Sequence, residues 1–400
     1  MRDAEHRNLW KTQRTLAFDI DHWLGRVATR TKPHFGGDNT LKPSRRNILA
    51  MTAGLPAAAT LSIGARAETT SSDAEALSLA ISQKLFGDDG LARPVPDAPT
   101  KSDLAVGLDR TLVLGGGGEY YVAWYCGFFH CLMELGVDPA KQAEMVVGTS
   151  AGAYIGSSMT SGDFLRLRTE FDFFGHFPSL FGKLAPVSSS NASQKRAREI
   201  NFSVKDGDPS SIRAIGHAAL AADNRVNGPA VERVAWLLTG DSKTNWPPSK
   251  MFTTSNDCFT GERLIIHKAV ADKNGIPLAH AVAASSSLPG IIGPTLLGQR
   301  FCMDGGISKT WAHTDVVAGS KHALVITLTN GYEGSLLSGI PHNIHKEIDA
   351  LEATGTKAMS IIAGTPPGVN LLDPNEIAPA LHAGYERAKL EAPKIRLFFS

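Results

Sequence analysis

The apolar positions of this chain change rhythm at residue 110. Thr111–Leu114 is a short apolar run, four glycines follow, and a helical run extends to a stop at Gly136. Met145–Val147 is a second short apolar run, and Ala151–Met159 can open another helix. Short apolar runs bounded by glycine-rich turns suit strands buried on both faces. Strand, helix, strand, helix in that order predicts a largely parallel α/β sheet. Farther on, Phe252–Ser255 and Leu264–His267 flank Thr260-Gly261 as a hairpin, and Ala323–Leu328 and Ala358–Ile362 read as buried strands. Helical patterns at Asn343–Ala353 and Ile377–Leu390 alternate with them, and no repeat at a fixed period is present. A single α/β domain over residues 110–395 fits this pattern better than two.

Ahead of that domain, Ser72-x-x-Glu75 forms a capping box before Leu77, Ile81 and Leu85, which recur at helical spacing until Gly87. Asp88–Asp103, with Pro94, Pro96 and Pro99, reads as a linker or surface loop, so residues 68–109 are expected to be a helix and linker. Residues 44–67 read SRRNILAMTAGLPAAATLSIGARA, with Arg45-Arg46 before the apolar stretch Ile48–Ile63 and the small-residue pattern Ala65-Arg66-Ala67. This resembles a twin-arginine export signal cleaved after Ala67. A stretch interrupted by Gly54 and Pro56 falls short of the roughly 20 apolar residues that span a bilayer. Residues 1–67 are therefore expected to be an N-terminal extension plus signal peptide, with the mature chain exported across the bacterial inner membrane to the periplasm or beyond.

Composition narrows the function classes. Hydrophobic residues make up 42% and charged residues 20%, which supports a sizeable core. The net charge of +1 hides an asymmetry: residues 1–67 hold eleven Lys/Arg against five Asp/Glu, so the remainder is at −5. A mildly acidic body lacks the clustered cations that nucleic acid requires, and no nucleic-acid partner is expected. Cys126, Cys131, Cys258 and Cys302 show neither CxxC pairing nor a nearby His pair, so no metal is expected.

Three short motifs carry candidate chemistry. Gly148-Thr149-Ser150-Ala151-Gly152 is G-x-S-x-G between an apolar strand and a helix. That context suits a nucleophile elbow, where small neighbours permit the tight turn and the helix N-terminus adds free N–H groups. An ordinary turn with a capping serine is the alternative. Gly115-Gly116-Gly117-Gly118, directly after the first strand, can aim several backbone N–H groups at one point, as a developing oxyanion needs. Neither register of this loop matches G-x-G-x-x-G, and no G-x-x-x-x-G-K-[ST] occurs, which argues against a nucleotide. Met303-Asp304-Gly305-Gly306 follows a strand-like run at Gln299–Cys302 and by itself reads as a turn.

Taken in order, the glycine loop, GTSAG and DGG resemble the patatin-like phospholipases, with DGG 154 residues after the serine. The resemblance extends to VAWYCGFFHCLMELGVD after the loop, AVAASSSLPGIIGP before DGG and AGYERAKLEA near the end, and covers most of residues 110–393. It implies a three-layer α/β/α fold with a mainly parallel central sheet, and a cofactor-independent serine hydrolase acting on lipid carboxylic esters. The family's Ser–Asp dyad would fall on Ser150 as nucleophile and Asp304 as base. Gly116, Gly117, Gly118 and Ala151 would supply oxyanion donors, while Gly148, Gly152, Gly305 and Gly306 would shape the elbow and turn.

This chain departs from the family pattern at Glu119-Tyr120-Tyr121, where relatives carry Arg or a small residue and then Gly. Bulk at that point motivates a competing reading, a catalytically silent lipid-binding or interaction protein. A third reading is a Ser-His-Asp esterase, with His313, His322 or His382 downstream of Asp304. Six of seventeen phenylalanines fall in Phe164–Phe181, which reads as core and, secondarily, as an acyl-chain cleft or lid in transient contact with a membrane surface.

Overall fold

Alternation within the strands sets the layers. In β1 (Arg110–Leu114), Leu112 and Leu114 pack into one apolar cluster and Val113 into another. The same split recurs in β2 (Met145–Gly148), with Val146 on one side and Met145 and Val147 on the other. Successive side chains of a strand point to opposite faces, so two separate cores require helices on both sides of the sheet. The computed structural model describes residues 84, 86–184, 191–224, 246–247, 250–331 and 337–400. The export-signal reading of residues 44–67, and most of the helix expected over residues 72–87, lie outside the described residues.

The sheet runs β5-β6-β3-β2-β1-β7-β8, with β4 paired to β3. Its members are β3 (Met251–Asp257), β4 (Arg263–His267), β5 (Thr295–Leu297), β6 (Arg300–Asp304), β7 (His322–Thr327) and β8 (Lys357–Ile362). β1, β2, β3, β7 and β8 are mutually parallel, while β4 and β6 are antiparallel to β3. The architecture is thus the expected three-layer α/β/α arrangement with a mainly parallel sheet.

One helical layer contains α1 (Gly118–Glu134), α2 (Pro139–Gln142), α3 (Ala151–Ser161), α4 (Phe164–His176) and α5 (Pro178–Leu184). Then follow α6 (Ala192–Ser203), α7 (Pro209–Ala221), α8 (Lys268–Asn274), α9 (Leu278–Ser285), α10 (Ile344–Ala353) and α11 (Ile377–Phe398). α11 runs eight residues beyond the Leu390 limit expected from the periodicity and carries Pro393 inside it. Burial of Ala388, Ala392 and Ile395 against the main cluster outweighs the lost backbone hydrogen bond. α1 and α11 touch backbone to backbone: a Cβ on Gly127 would lie 1.9 Å from the Leu381 carbonyl, and one on Gly384 would lie 1.9 Å from that of Trp124.

The stretch Asp88–Asp103 is more than a linker. Ala92 bridges to Leu264, Leu91 is buried, and Ile265 N–H donates to the Leu91 carbonyl at 3.0 Å. Residues 91–93 thus extend the sheet outside β4, and the Arg300 guanidinium holds Asp89 at 2.6 Å. Proline content hid this, because prolines suit the outermost position of a sheet as well as they suit a loop.

Candidate active site

The first two strands end at one point. Leu114 closes β1 and delivers the glycine loop; Gly148 closes β2 and delivers Ser150, whose φ of 52° and ψ of −117° belong to a region that residues other than glycine rarely adopt. Such a backbone costs about 1–3 kcal/mol and persists only where the surroundings hold it. Here they do: a Cβ on Gly148 would stand 2.5 Å from the Gly152 carbonyl, and one on Gly152 would stand 2.0 Å from the Leu114 carbonyl. The Ser150 N–H donates to Ser285 Oγ at 2.9 Å, and the side chain is nearly buried at the N-terminus of α3.

Strand pairing explains why Asp304, so distant in sequence, arrives at the same place. β4 occupies one edge of β3 along Phe252–Asn256. The other edge is divided, β2 pairing along Met251–Thr253 and β6 along Ser255–Asp257. Because β2 runs with β3 and β6 runs against it, the two approach Thr254 from opposite ends. The last residue of β2, Gly148, pairs with Thr253, and the last residue of β6, Asp304, pairs with Ser255. Two residues of strand separate these partners, about 7 Å. Thr254 sits between: its Oγ1 is 2.8 Å from Thr149 Oγ1, and a Cβ on Gly305 would stand 2.1 Å from it.

Asp304 is held on several sides. Its N–H donates to the Ser287 carbonyl at 2.9 Å, and Asn256 Nδ2 donates to its carbonyl at 2.8 Å. Gly306 N–H donates to Oδ1 at 2.7 Å. Among the described residues Oδ2 has no partner at hydrogen-bonding distance. Burial raises the carboxyl to about 7, opposed by the Gly306 N–H and the Ser150 hydroxyl, which is near enough to favour the carboxylate.

The glycine loop lies directly against the serine. A Cβ on Gly116 would come within 3.0 Å of Ser150 Cβ and 3.6 Å of its Oγ. Gly117 is confined by Leu328 and Tyr121, and Gly118, at φ 64°, by the Leu371 carbonyl. Gly118 and Ala151 are the first residues of α1 and α3, so neither N–H has an acceptor within its own helix. Tyr120 and Tyr121 do not fill this space: both are buried in the main core, and the Tyr121 ring lies 3.9 Å from that of Tyr125. One turn farther along α1, the Tyr125 hydroxyl donates to the carbonyls of Gly115 (3.2 Å) and Ile326 (3.0 Å), tying the loop's start to β7.

The histidines weighed for a triad lie elsewhere. His322 begins β7, opposite Arg110 at the far end of the parallel strands, and its ring meets Phe398. His382 is an exposed position of α11. His313 is buried near the DGG turn, but its Nε2 is 3.0 Å from the Gly305 carbonyl and its Nδ1 is 3.0 Å from Thr310 Oγ1. Both ring nitrogens are thereby occupied away from Ser150.

Several neighbours of the site were not singled out from sequence. Thr254 and Asn256 carry no motif, and Ser285 was visible only as part of the run Ser285-Ser286-Ser287. Tyr154, one turn after Ser150, shares a hydrogen bond with Ser286 and feels the charges of both Glu119 and Asp304. Glu119, noted only for its bulk, has an enclosed Oε2 without a partner among the described residues, and burial raises its carboxyl to about 7. Of the phenylalanine cluster, Phe164, Phe171, Phe174 and Phe181 are core, while Phe177 is 54% exposed beyond the end of α4. Among the described residues no group of His, Cys, Asp or Glu is arranged to hold a metal ion, and no helix is long and apolar enough to cross a membrane.

A family model described as patatin-like phospholipase matches residues 112–311, a span that includes all of the loop, elbow and turn glycines. Uncharacterised NTE family proteins of Mycobacterium bovis and Mycobacterium tuberculosis are 26% identical over 221 residues, 54% of this chain and 30% of theirs. The chain therefore spans less than a third of the length of those relatives. Among solved structures, VipD from Legionella pneumophila matches 79% of this chain and 73% of its own at 14% identity, with a TM-score of 0.33. The ExoU-SpcU complex of the Pseudomonas aeruginosa type III secretion system matches 73% of this chain and 52% of its own at 15% identity, with a TM-score of 0.31.

Proposed function

Because the chain belongs to the patatin-like phospholipase family, we propose that it is a lipid acyl hydrolase cleaving carboxylic esters through an acyl-enzyme on Ser150, with Asp304 as base. The observation that carries this reading is the convergence of the strained Ser150, the Asp304 carboxyl and the Gly116 backbone around Thr254. The unpartnered Oδ2 of Asp304 is the acceptor for the serine proton.

In the first half of the reaction, Ser150 Oγ adds to the ester carbonyl carbon while its proton passes to Asp304. The carbonyl oxygen gains the negative charge and is met by N–H groups from Gly116, Gly117, Gly118 and Ala151; each such donor is worth about 3 kcal/mol when removed. Collapse breaks the carbon–oxygen bond to the alcohol, which leaves with the proton from Asp304. In the second half, water gives a proton to Asp304 and adds to the acyl carbon; the carbon–oxygen bond to Ser150 then breaks, Oγ takes that proton back from Asp304, and the fatty acid leaves. A carboxyl titrating near 7 is far better matched to both transfers than one near 4. Gly305 and Gly306 let the turn pass Thr254 and return an N–H to the carboxyl.

The test is turnover of short acyl esters and of phospholipid vesicles by Ser150→Ala and Asp304→Asn. Each is expected to lose at least about three orders of magnitude in kcat, as removal of a nucleophile or its base does elsewhere. Undiminished turnover in either variant rejects the dyad. A silent lipid-binding protein is disfavoured because the tyrosines invoked for it lie in the core. Work at a lipid surface in the exported compartment completes the reading, supported by the exposed Phe177 and by the twin-arginine pattern at Arg45-Arg46.

A further inference from the structure

His313 has backbone and side-chain features that the dyad does not require. It is one of only two described non-glycine residues at positive φ, 55°, the other being Ser150 itself. The ring is fully buried, yet every polar atom on it is matched. Its partners define the tautomer. The Gly305 carbonyl, 3.0 Å from Nε2, can only accept, so Nε2 carries the proton. Nδ1 is then the acceptor, and it faces the Thr310 hydroxyl at 3.0 Å and Arg263 Nη1 at 3.4 Å, both able to donate.

Arg263 is itself fixed. It forms two bonds of 2.7 Å to Asp315 and donates to the carbonyls of Arg93 and Pro94. Burial and the adjacent guanidinium hold the imidazole neutral, pushed down to about 3. The ring is thus a pre-set N–H donor on a rigid mount, aimed at the Gly305–Gly306 peptide, whose own N–H donates to Asp304 Oδ1.

We propose that His313 is a positioning residue for Asp304, its Nε2–H holding the Gly305 carbonyl so that the carboxyl stays over Ser150. This rests on the dyad reading. The backbone of Asp304 is fastened within β6, but its carboxyl is oriented by the Gly306 N–H at 2.7 Å, so the angle of the Gly305–Gly306 peptide sets where the carboxyl points. Displacements on the order of 1 Å cost about 100-fold in rate. The inference also separates His313 from a catalytic base: a base must cycle through the imidazolium, whereas this ring must remain a neutral donor.

His313→Ala and His313→Gln separate these roles, assayed well below their melting temperatures with Ser150→Ala alongside. Glutamine keeps an N–H donor at nearly the Nε2 position and cannot act as a base. His313→Ala is expected to lose about 10–100-fold in kcat at nearly constant KM. His313→Gln is expected to return to within about fivefold of the wild type. The fluorophosphonate labelling rate of Ser150 should follow the same order, whereas simple loss of folded protein lowers labelling amplitude and not rate. A His313→Ala enzyme within twofold of wild type overturns the proposal. So does a folded His313→Gln as inactive as His313→Ala, the result a base would give.

If both variants fail to fold, Thr310→Val tests the same mount from a half-buried site by removing the nearer of the two donors to Nδ1 and so loosening the ring. A fall of about 3–10-fold in kcat with KM held supports the proposal, and an unchanged kcat overturns it. Activity retained by Ser150→Ala instead refutes the dyad, and this inference with it.

Discussion

Asp304 titrates near 7 because it is buried without a cationic partner, and two measurable consequences follow at that one residue. As a base it must be ionised, so kcat/KM should rise with pH through about 7 as a single proton is lost. His313, pushed down to about 3, does not titrate in that range. A profile whose acid limb lies below pH 5 rejects Asp304 as the base. The second consequence concerns stability. The carboxyl's ordinary value is 3.8, so folding takes up a proton between about pH 4 and 7. Stability from the protonated form is complete below pH 4 and is lost as pH rises through 7. Asp304→Asn escapes that loss. At pH 8 it should be more stable than the parent by on the order of 1–4 kcal/mol, the gap closing toward pH 4. Glu119 and Glu347, also raised to about 7, contribute equally to both proteins, so the difference in denaturant midpoints isolates Asp304. A gap that does not change with pH contradicts the assignment.

Element by element, the legible features were those that one backbone constraint dictates. Gly148 and Gly152 were readable because only hydrogen fits where a Cβ would strike the Gly152 and Leu114 carbonyls. β1, β2 and β7 were readable because each is a bounded apolar run covered on both faces, whereas β8, expected to be buried, is an edge strand that buries only Ile361. The mounting of Asp304 was not readable. It depends on β2 and β6 sharing one edge of β3, and no local pattern states which strands meet there. Likewise α6 and α7 bury only a few positions each, so their periodicity is faint. His313 stood in sequence only as a triad candidate beside His322 and His382; the positioning role proposed for it depends on Gly305 and Arg263 beside it. The α1–α11 crossing gives an element-scale test. Gly127→Ala places a methyl 1.9 Å from the Leu381 carbonyl, so the helices must separate. A loss on the order of 1–3 kcal/mol is expected by denaturant titration, with kcat of the folded fraction retained. Gly136→Ala meets nothing within 4 Å but has φ 71°, and should cost only the backbone strain.

At the scale of the whole molecule, the segment ahead of β1 is fastened to the sheet that carries the site. Arg300, at 1% exposure and in the strand that ends at Asp304, holds Asp89, Asp257 and Glu262 at 2.6–3.2 Å and lies over the Phe86 ring. One cation thus compensates three carboxylates. Buried ion pairs contribute little net stability when intact, but removing one partner strands the others and costs about 3–5 kcal/mol. Arg300→Met keeps the volume and leaves three acids together, so its stability should fall by about that amount near neutral pH. Protonation relieves the repulsion among the acids that Arg300 joined, so the deficit should shrink as pH falls toward 4. A pH-independent deficit would assign the loss to packing alone. The same variant reports on whether the segment is structural: if residues 86–94 are a strap, protease cleavage there should accelerate in Arg300→Met, while a mere linker would be cut equally fast in both proteins.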